Sequence, residues 1–433
     1  MDNNRKTAYL TLMDIEVKKS YSNIALNHNI IISKPENQGL VREIVYGVLE
    51  NKYFIDYAIS KFIHTSLEKM KISDKTILRM GIYQIGFMNS VPEYAAVNES
   101  VILAKKYCRG RAGFINGVLR SYAREKENIE LPSKEEDYIG YLSVKYSYER
   151  WIIEEWLTQY DGSFVEDLLQ AGNKTPDLVL RVYTLKTEKD VLIKRMREHG
   201  YSVNEGHLCA QAVHIKGSKI LKTKAYERGL FSVQDESSMM AVNILDPQPG
   251  DFIIDVCSAP GGKALAMAEK MNNMGKIAAW DVYRRKLNIV DKEAERLGIT
   301  IIETNPWDGT NIKNELVMQA DRVLVDAPCS GLGVIRRKPE IKYKELTAEL
   351  QDLPKKQKAI LGASSEYVKP GGVLVYSTCT IAANENKEVI QDFLKRNTEF
   401  EQQEIIQLLP NVNDTDGFFI CKMIRKNKKT SDG

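Results

Sequence analysis

The chain has 433 residues, 43% hydrophobic and 27% charged, a composition that fits globular protein and a prior of about three domains. Its formal net charge is only +3, so the whole-chain balance selects no strongly acidic or basic partner. No apolar run approaches the roughly 18–20 residues needed to cross a bilayer, and the opening MDNNRKTAYL is polar with no signal-peptide core, so a cytoplasmic protein with no membrane partner is expected.

Residues 1–130 read as helical. Leu40, Ile44, Val45, Val48 and Leu49 make one apolar stripe, and Ile77, Leu78, Ile82, Ile85 and Gly86 continue it. The end of this region is locally basic, with Lys105, Lys106, Arg109, Arg111, Arg120, Arg124 and Lys126 against Glu125. Similar clusters recur at Lys216–Arg228 and Arg336–Lys344. Separate basic patches on a nearly neutral chain point to an extended polyanion, because phosphate contacts need local clusters. Leu78-Arg79-Met80-Gly81, Asn98-Glu99 and Asn116-Gly117-Val118-Leu119-Arg120 resemble the NusB family of RNA-binding helical domains. That resemblance implies RNA or partner binding on the basic segment 105–126, with Arg120 as a candidate contact.

Asn128 to Asp137 is polar and contains proline, as a linker would. Residues 138–228 alternate helix and strand, with Trp151, Ile152, Ile153, Trp156 and Leu157 on a helix and Leu178, Leu180 and Val182 on a strand. The tryptophans read as core rather than base-stacking platforms. The segment LVLRVYTLK resembles the corresponding strand of RNA cytosine methyltransferases, where Asn usually stands at the position of Tyr183; that departure assigns no role to Arg181 or Tyr183.

Residues 229–426 form the third region. Apolar runs end in turn at Asp255, Asp281, Asp308, Asp326 and Thr378, with helical segments between, and predict an α/β fold with a doubly wound, Rossmann-like sheet. Ligands bind such sheets beyond the carboxyl ends of the strands. The first of these strands runs into the turn Cys257-Ser258-Ala259-Pro260-Gly261-Gly262-Lys263, a ligand cradle. A phosphate loop would need Gly at Cys257 and Ser or Thr at Ala264, and the dinucleotide G-x-G-x-x-G is absent. Asp281 follows at roughly the 20-residue distance of a ribose-binding carboxylate, so a ribose without a phosphate-binding loop favours S-adenosylmethionine over ATP or NAD. Asp308 is then placed for the adenine amino group. The terminal KNKKTSDG is expected to fray.

The six cysteines stand singly, at Cys108, Cys209, Cys257, Cys329, Cys379 and Cys421, with no C-x-x-C pair. Neither a zinc site nor a disulfide framework is expected, and a functional cysteine would act as a thiol. Cys329 and Cys379 follow apolar strands on tight polar turns, and no histidine lies beyond His214, which excludes a Cys-His dyad within this region. A thiolate adding to C6 of cytosine makes C5 nucleophilic toward a methyl sulfonium. The cycle needs one nucleophilic Cys, one Asp, and a further Cys or a water to remove the C5 proton.

Cys257–Lys263, Asp326-Ala327-Pro328-Cys329-Ser330 and Ser377-Thr378-Cys379 resemble the RNA cytosine-5 methyltransferase family, as do Gln234-Asp235, Arg336-Arg337-Lys338-Pro339-Glu340 and Asp416-Gly417-Phe418-Phe419. The resemblance implies that Cys379 is the nucleophile, that Cys329 assists proton removal and release, and that Asp326 contacts the base and the cofactor site. It also implies that Arg336, Arg337 and Lys338 hold RNA phosphates. The expected partner is RNA, 16S rRNA or its small-subunit precursor, and not DNA; a monomer is expected. A tRNA cytosine-5 methyltransferase and a non-catalytic RNA-binding or antitermination factor are the alternatives.

Overall fold

The structure, a computed structural model, describes residues 2–217 and 219–427. Of the tail expected to fray, residues 428–433 lie outside them. The chain divides into two compact units, one running to Lys174 and reclaiming Ile335–Glu345, the other comprising Thr175–Val334 and the residues from Leu346 onward.

The first unit is all helical: α1 (Asn3–Lys18), α2 (Ser22–Ser33), α3 (Gln38–Glu50), α4 (Lys52–Ser60), α5 (Ile72–Phe87), α6 (Glu93–Tyr107), α7 (Ala112–Glu125), α8 (Tyr138–Tyr146), α9 (Arg150–Leu157) and α10 (Gly162–Gly172). The predicted stripe Ile44, Val45, Val48 and Leu49 is buried on α3, and α5 is the central helix, with Ile77, Leu78, Met80 and Ile82 excluded from solvent. Gly81 lets that packing close, since a Cβ there would sit 2.7 Å from Leu119. Arg79 is buried beside them and is compensated by a fork onto Asp56 (2.7 Å for both bonds) and a bond to Glu16 (2.9 Å). Trp156 is core, as read from the sequence, and Trp151 is half-buried with its indole N–H on the Lys344 carbonyl at 2.9 Å.

Ile335–Glu345 is a strap that completes this unit. Lys342 is buried, and its ammonium donates to the carbonyls of Glu50 (2.7 Å) and Tyr146 (3.1 Å) and to Asn173 Oδ1 (2.8 Å), with the Tyr148 ring 4.7 Å away. Tyr343 donates to the Leu49 carbonyl and accepts from the Lys52 amide at 3.2 Å.

The second unit holds two sheets. The smaller contains β1 (Leu178–Val182), β2 (Ser202–Glu205), β3 (Ala212–Lys216) and β4 (Phe231–Val233) in the antiparallel order β2-β3-β1-β4, with α11 (Lys189–Glu198) and α12 (Lys224–Glu227) alongside in sequence. Next come α13 (Glu236–Leu245), β5 (Phe252–Asp255), α14 (Gly262–Lys270), β6 (Lys276–Asp281), α15 (Arg284–Leu297), β7 (Ile302–Pro306) and β8 (Ala320–Asp326). The chain ends through α16 (Ala348–Gln351), α17 (Leu353–Ser365), β9 (Val368–Thr378), α18 (Lys387–Arg396), β10 (Phe400–Leu408), α19 (Pro410–Asn413) and β11 (Phe418–Arg425).

The larger sheet has the order β10-β11-β9-β8-β5-β6-β7; the five strands from β9 to β7 are parallel, and β10 and β11 add an antiparallel edge. Alternate strand residues bury opposite faces, Ile253 and Leu324 against α13 and α14, Ile254, Val323 and Val325 against α17 and α18. The strand order reverses between β5 and β8, which opens a crevice at their carboxyl ends.

Candidate active site

The cradle turn leaves β5 at this reversal. The Val256 amide bonds the Leu324 carbonyl (3.0 Å), the Ser258 amide bonds the Trp280 carbonyl (2.7 Å), and the Gly261 amide closes onto the Ser258 carbonyl (2.8 Å). Gly261 has φ 101°, and a Cβ there would meet Val290 at 2.8 Å, so only glycine turns the chain into α14 here. Asp255 is fully buried at the strand end, with neither carboxylate oxygen in a hydrogen bond and the Ser258 hydroxyl likewise unpaired. Burial pushes Asp255 up to about 7, with the carboxylates of Asp326 and Asp281 adding to the rise. Unsatisfied buried polar atoms beside a glycine turn fit a polar ligand. Cys257 lies in this turn, its thiol pushed upward by burial and then by Asp255, Asp326 and Asp281.

Two adjacent strand ends supply the reactive groups. The register sets Asp326 of β8 opposite Ser377 of β9, and Asp326 is gripped on both oxygens, by Lys263 Nζ at 2.7 Å and by the Ser377 hydroxyl at 2.9 Å. The Lys263 ammonium also lies 5.0 Å from the Phe418 ring. Just beyond, Cys329 Sγ and Cys379 Sγ are 3.3 Å apart. The hydrogen bond with Cys379, then burial, push the Cys329 thiol well above the ordinary thiol range, with Glu385 and Asp326 adding to the rise. Either sulfur can be the donor in this contact.

Other predicted residues lie around this centre or away from it. Asp281 is buried at the end of β6, its Oδ1 accepting from the Tyr283 amide at 2.9 Å. Asp308, beyond β7, is exposed and held by the amide (3.0 Å) and hydroxyl (2.8 Å) of Thr310, which lower its pKa. Arg120 is exposed on α7 in the helical unit. Arg336, Arg337 and Lys338 open the strap: Arg336 is buried, Arg337 half-buried, and Lys338 exposed with its ammonium 5.4 Å from the Tyr21 ring.

Several supporting residues were given no role from the sequence. Arg181 of β1 is buried against the cradle, donating to the Gly262 carbonyl (2.8 Å) and to Gln234, and paired with Glu269 at 3.1 Å. An arginine inside the apolar run LVLRVY signals a buried acid, and Glu269 in ALAMAEK is that acid. Tyr183 packs in the core with Ala241 and Leu245. Glu385, Asn386 and Gln357 surround the two cysteine turns; no spacing rule marks them, because their partners lie on other elements.

Comparison with known proteins agrees with this geometry. Residues 242–424 match the family model "16S rRNA methyltransferase RsmB/F", residues 2–124 the NusB family, and residues 148–220 a ferredoxin-like domain of RsmF/B-like methyltransferases. The chain is 37% identical to a probable ribosomal RNA small subunit methyltransferase B of Bacillus subtilis (strain 168), covering 98% of both chains. It is 31% identical to a protein of the same name from Synechocystis sp. (strain ATCC 27184 / PCC 6803 / Kazusa), covering 97% of this chain and 98% of that one. The solved structure of PH0851 superposes with a TM-score of 0.83 at 25% identity and covers 98% of each chain. With a reversing α/β sheet, a glycine cradle and full-length likeness to these proteins, the chain belongs to the ribosomal RNA small subunit methyltransferase B family.

Proposed function

We propose that the protein transfers a methyl group from S-adenosylmethionine to C5 of a cytidine in 16S rRNA, through a covalent bond between Cys379 and C6 of the base. The observation that carries this reading is the pair of thiols 3.3 Å apart beside an Asp326 held by Lys263 and Ser377. A non-catalytic RNA-binding protein has no use for that arrangement.

The residues that would hold the cofactor are the turn Cys257–Lys263, with Asp255, Asp281 and Asp308 along the adjoining strand ends. Their chemistry fits: Asp255 is buried at the end of β5 and Asp281 at the end of β6, with Asp308 beyond β7, acceptors of the kind that ribose hydroxyls and an amino group require, and the sequence has no phosphate-loop motif. Bound, S-adenosylmethionine supplies an electrophilic methyl group. Cys379 adds as thiolate to C6, which makes C5 a carbanion equivalent. Asp326 bonds the polar edge of the ring and is itself fixed by Lys263 and Ser377, so no reorganisation is needed as charge develops. Cys329, 3.3 Å from Cys379, acts as the base once it has given up its own proton: its thiolate takes the C5 proton, the C6–sulfur bond breaks and the thiolate returns to Cys379. The base must be unpaired or flipped, since a stacked, paired cytidine hides C6. Exposed Arg120 and Lys338 would contact RNA phosphates, with half-buried Arg337 next to Lys338 in the chain.

Paired substitutions test the assignment. Cys379→Ala lowers methyl transfer by on the order of a thousandfold or more and forms no RNA adduct. Cys329→Ala accumulates an RNA adduct resistant to denaturing electrophoresis. The reverse pattern, an adduct in Cys379→Ala and none in Cys329→Ala, makes Cys329 the nucleophile and overturns the reading. Sequencing of 5-methylcytosine in rRNA and tRNA from a deletion strain identifies the substrate RNA; a lost site in tRNA alone would displace 16S rRNA.

A further inference from the structure

The two reactive turns are held by one dipeptide. Glu385, buried in the short helical turn Ala383–Glu385, accepts the Ser330 amide at 2.9 Å and the Gln357 side-chain amide at 2.8 Å through the same oxygen. Gln357 in turn donates to the Pro328 carbonyl at 3.0 Å. The peptide groups before and after Cys329 are therefore both fixed, one through Gln357 and one directly. The Glu385 carbonyl accepts from the Tyr376 hydroxyl at 2.7 Å, which ties the dipeptide to β9.

Asn386 does the same for the other thiol. Its Oδ1 meets the Thr378 hydroxyl at 2.5 Å and its Nδ2 donates to the Thr380 carbonyl at 3.0 Å, so the residues on either side of Cys379 are gripped by one side chain. The Thr380 hydroxyl then bonds the Ser330 hydroxyl at 2.7 Å, linking the two turns. A second brace comes from the Gly333 amide on the Cys379 carbonyl at 3.0 Å. The side chains of Glu385, Asn386, Gln357, Ser330, Tyr376, Thr378 and Thr380 are buried, where an unmade hydrogen bond is costly, so the lattice is fixed rather than adaptable.

We infer that Glu385 and Asn386 are positioning residues that set the separation of the two catalytic thiols and divide their roles: Asn386 presents Cys379 through Thr378 and Thr380, and the Glu385 carboxylate, seated on the Ser330 amide, faces Cys329. The inference rests on the two-thiol reading of the site. The charged and titratable groups facing Cys329 include Cys379 and Tyr376 on β9 and its following turn, Asp326 on β8, and Glu385. Of these, Glu385 is the acid that also touches the cysteine's own turn. Its charge opposes a second thiolate beside Cys379 without competing for the substrate.

Thiol alkylation of the full-length protein, without RNA or cofactor, tests this directly. Rates of iodoacetamide modification at Cys379 and Cys329 are measured by peptide mass spectrometry between pH 6 and 10 in wild type, E385Q, N386A and Q357M. Wild type modifies Cys379 first. E385Q keeps an oxygen acceptor but loses the charge, so the pH midpoint of Cys329 falls and the preference for Cys379 narrows by about tenfold for each unit of that fall. N386A slows Cys379 and leaves the Cys329 midpoint in place. Q357M loosens the Pro328 carbonyl while retaining the carboxylate, and keeps the test open if E385Q does not fold. Preferences within about twofold of wild type in the folded variants would reduce the dipeptide to a packing element and overturn the inference. Failure of the methylation reading registers separately, as an RNA adduct in Cys379→Ala with the alkylation pattern unchanged.

Discussion

Lys263 shows how much one side chain in the cradle is asked to do. Nearly buried, it donates to Asp326 at 2.7 Å and lies over Phe418. Replacing it by Met removes the charge while keeping the stem, and leaves Asp326 with Ser377 alone. The expected result is a fall of roughly 10- to 100-fold in kcat with a smaller change in cofactor affinity, read by steady-state kinetics and titration calorimetry. Glu236 carries a second prediction. Burial would raise its pKa, but His214 and the amides of His207, Leu208 and Cys209 outweigh burial and bring it to about 2, while Glu236 raises His214. The Glu236 contribution is fully present above its unfolded value near 4.5 and is lost as pH falls from there toward about 2; the His214 contribution is present below its unfolded 6.5 and is lost as pH rises through the folded value. Urea unfolding between pH 3 and 8 should show Glu236→Gln flattening both limbs, with a loss on the order of 2 kcal/mol near pH 6.

At the scale of elements, the parallel strands β5, β6, β8 and β9 were legible because each carries a short apolar run that stops at a polar or acidic residue, whereas β7 reads IETNP, is largely exposed and ends at Pro306, short of the expected Asp308. The edge pair was not. β10 reads FEQQEIIQL and is exposed from Glu401 to Ile405, so it presents no apolar run, and β11, FFICKMIR, is buried but pairs antiparallel with both neighbours rather than in the strand-then-helix pattern. The Asp and Cys residues at the strand ends were readable from chain position alone, whereas Glu385 and Gln357 act through residues remote in sequence. The basic segment 336–344 shows a second limit: composition marks its charge, but Lys342 turns inward to three oxygens while Lys338 stays in solvent. Burial lowers the Lys342 pKa to about 7. The unfolded lysine holds its proton to about 10.5, so this residue's contribution makes stability rise with pH between about 7 and 10. Lys342→Met should abolish that rise and, by leaving the Glu50 and Tyr146 carbonyls and Asn173 unpaired, lower stability by about 2–4 kcal/mol in thermal or urea unfolding.

For the whole molecule, the order of residues is not the order of units. The helical unit takes its last piece from Ile335–Glu345, after most of the parallel sheet has been laid down in sequence. A fragment ending at Lys174 should therefore melt below the temperature at which the same unit melts in the full chain. A synthetic peptide of residues 335–345 added in excess should raise that melting temperature, and the peptide with Met at position 342 should not.

The strap also bears on how the protein is made. During synthesis the helical segment emerges first, yet the carbonyls of Glu50 and Tyr146 wait for Lys342. At roughly 5–20 residues per second that wait is on the order of ten seconds or longer. For that interval the helical segment lacks the buried lysine that pairs those two carbonyls.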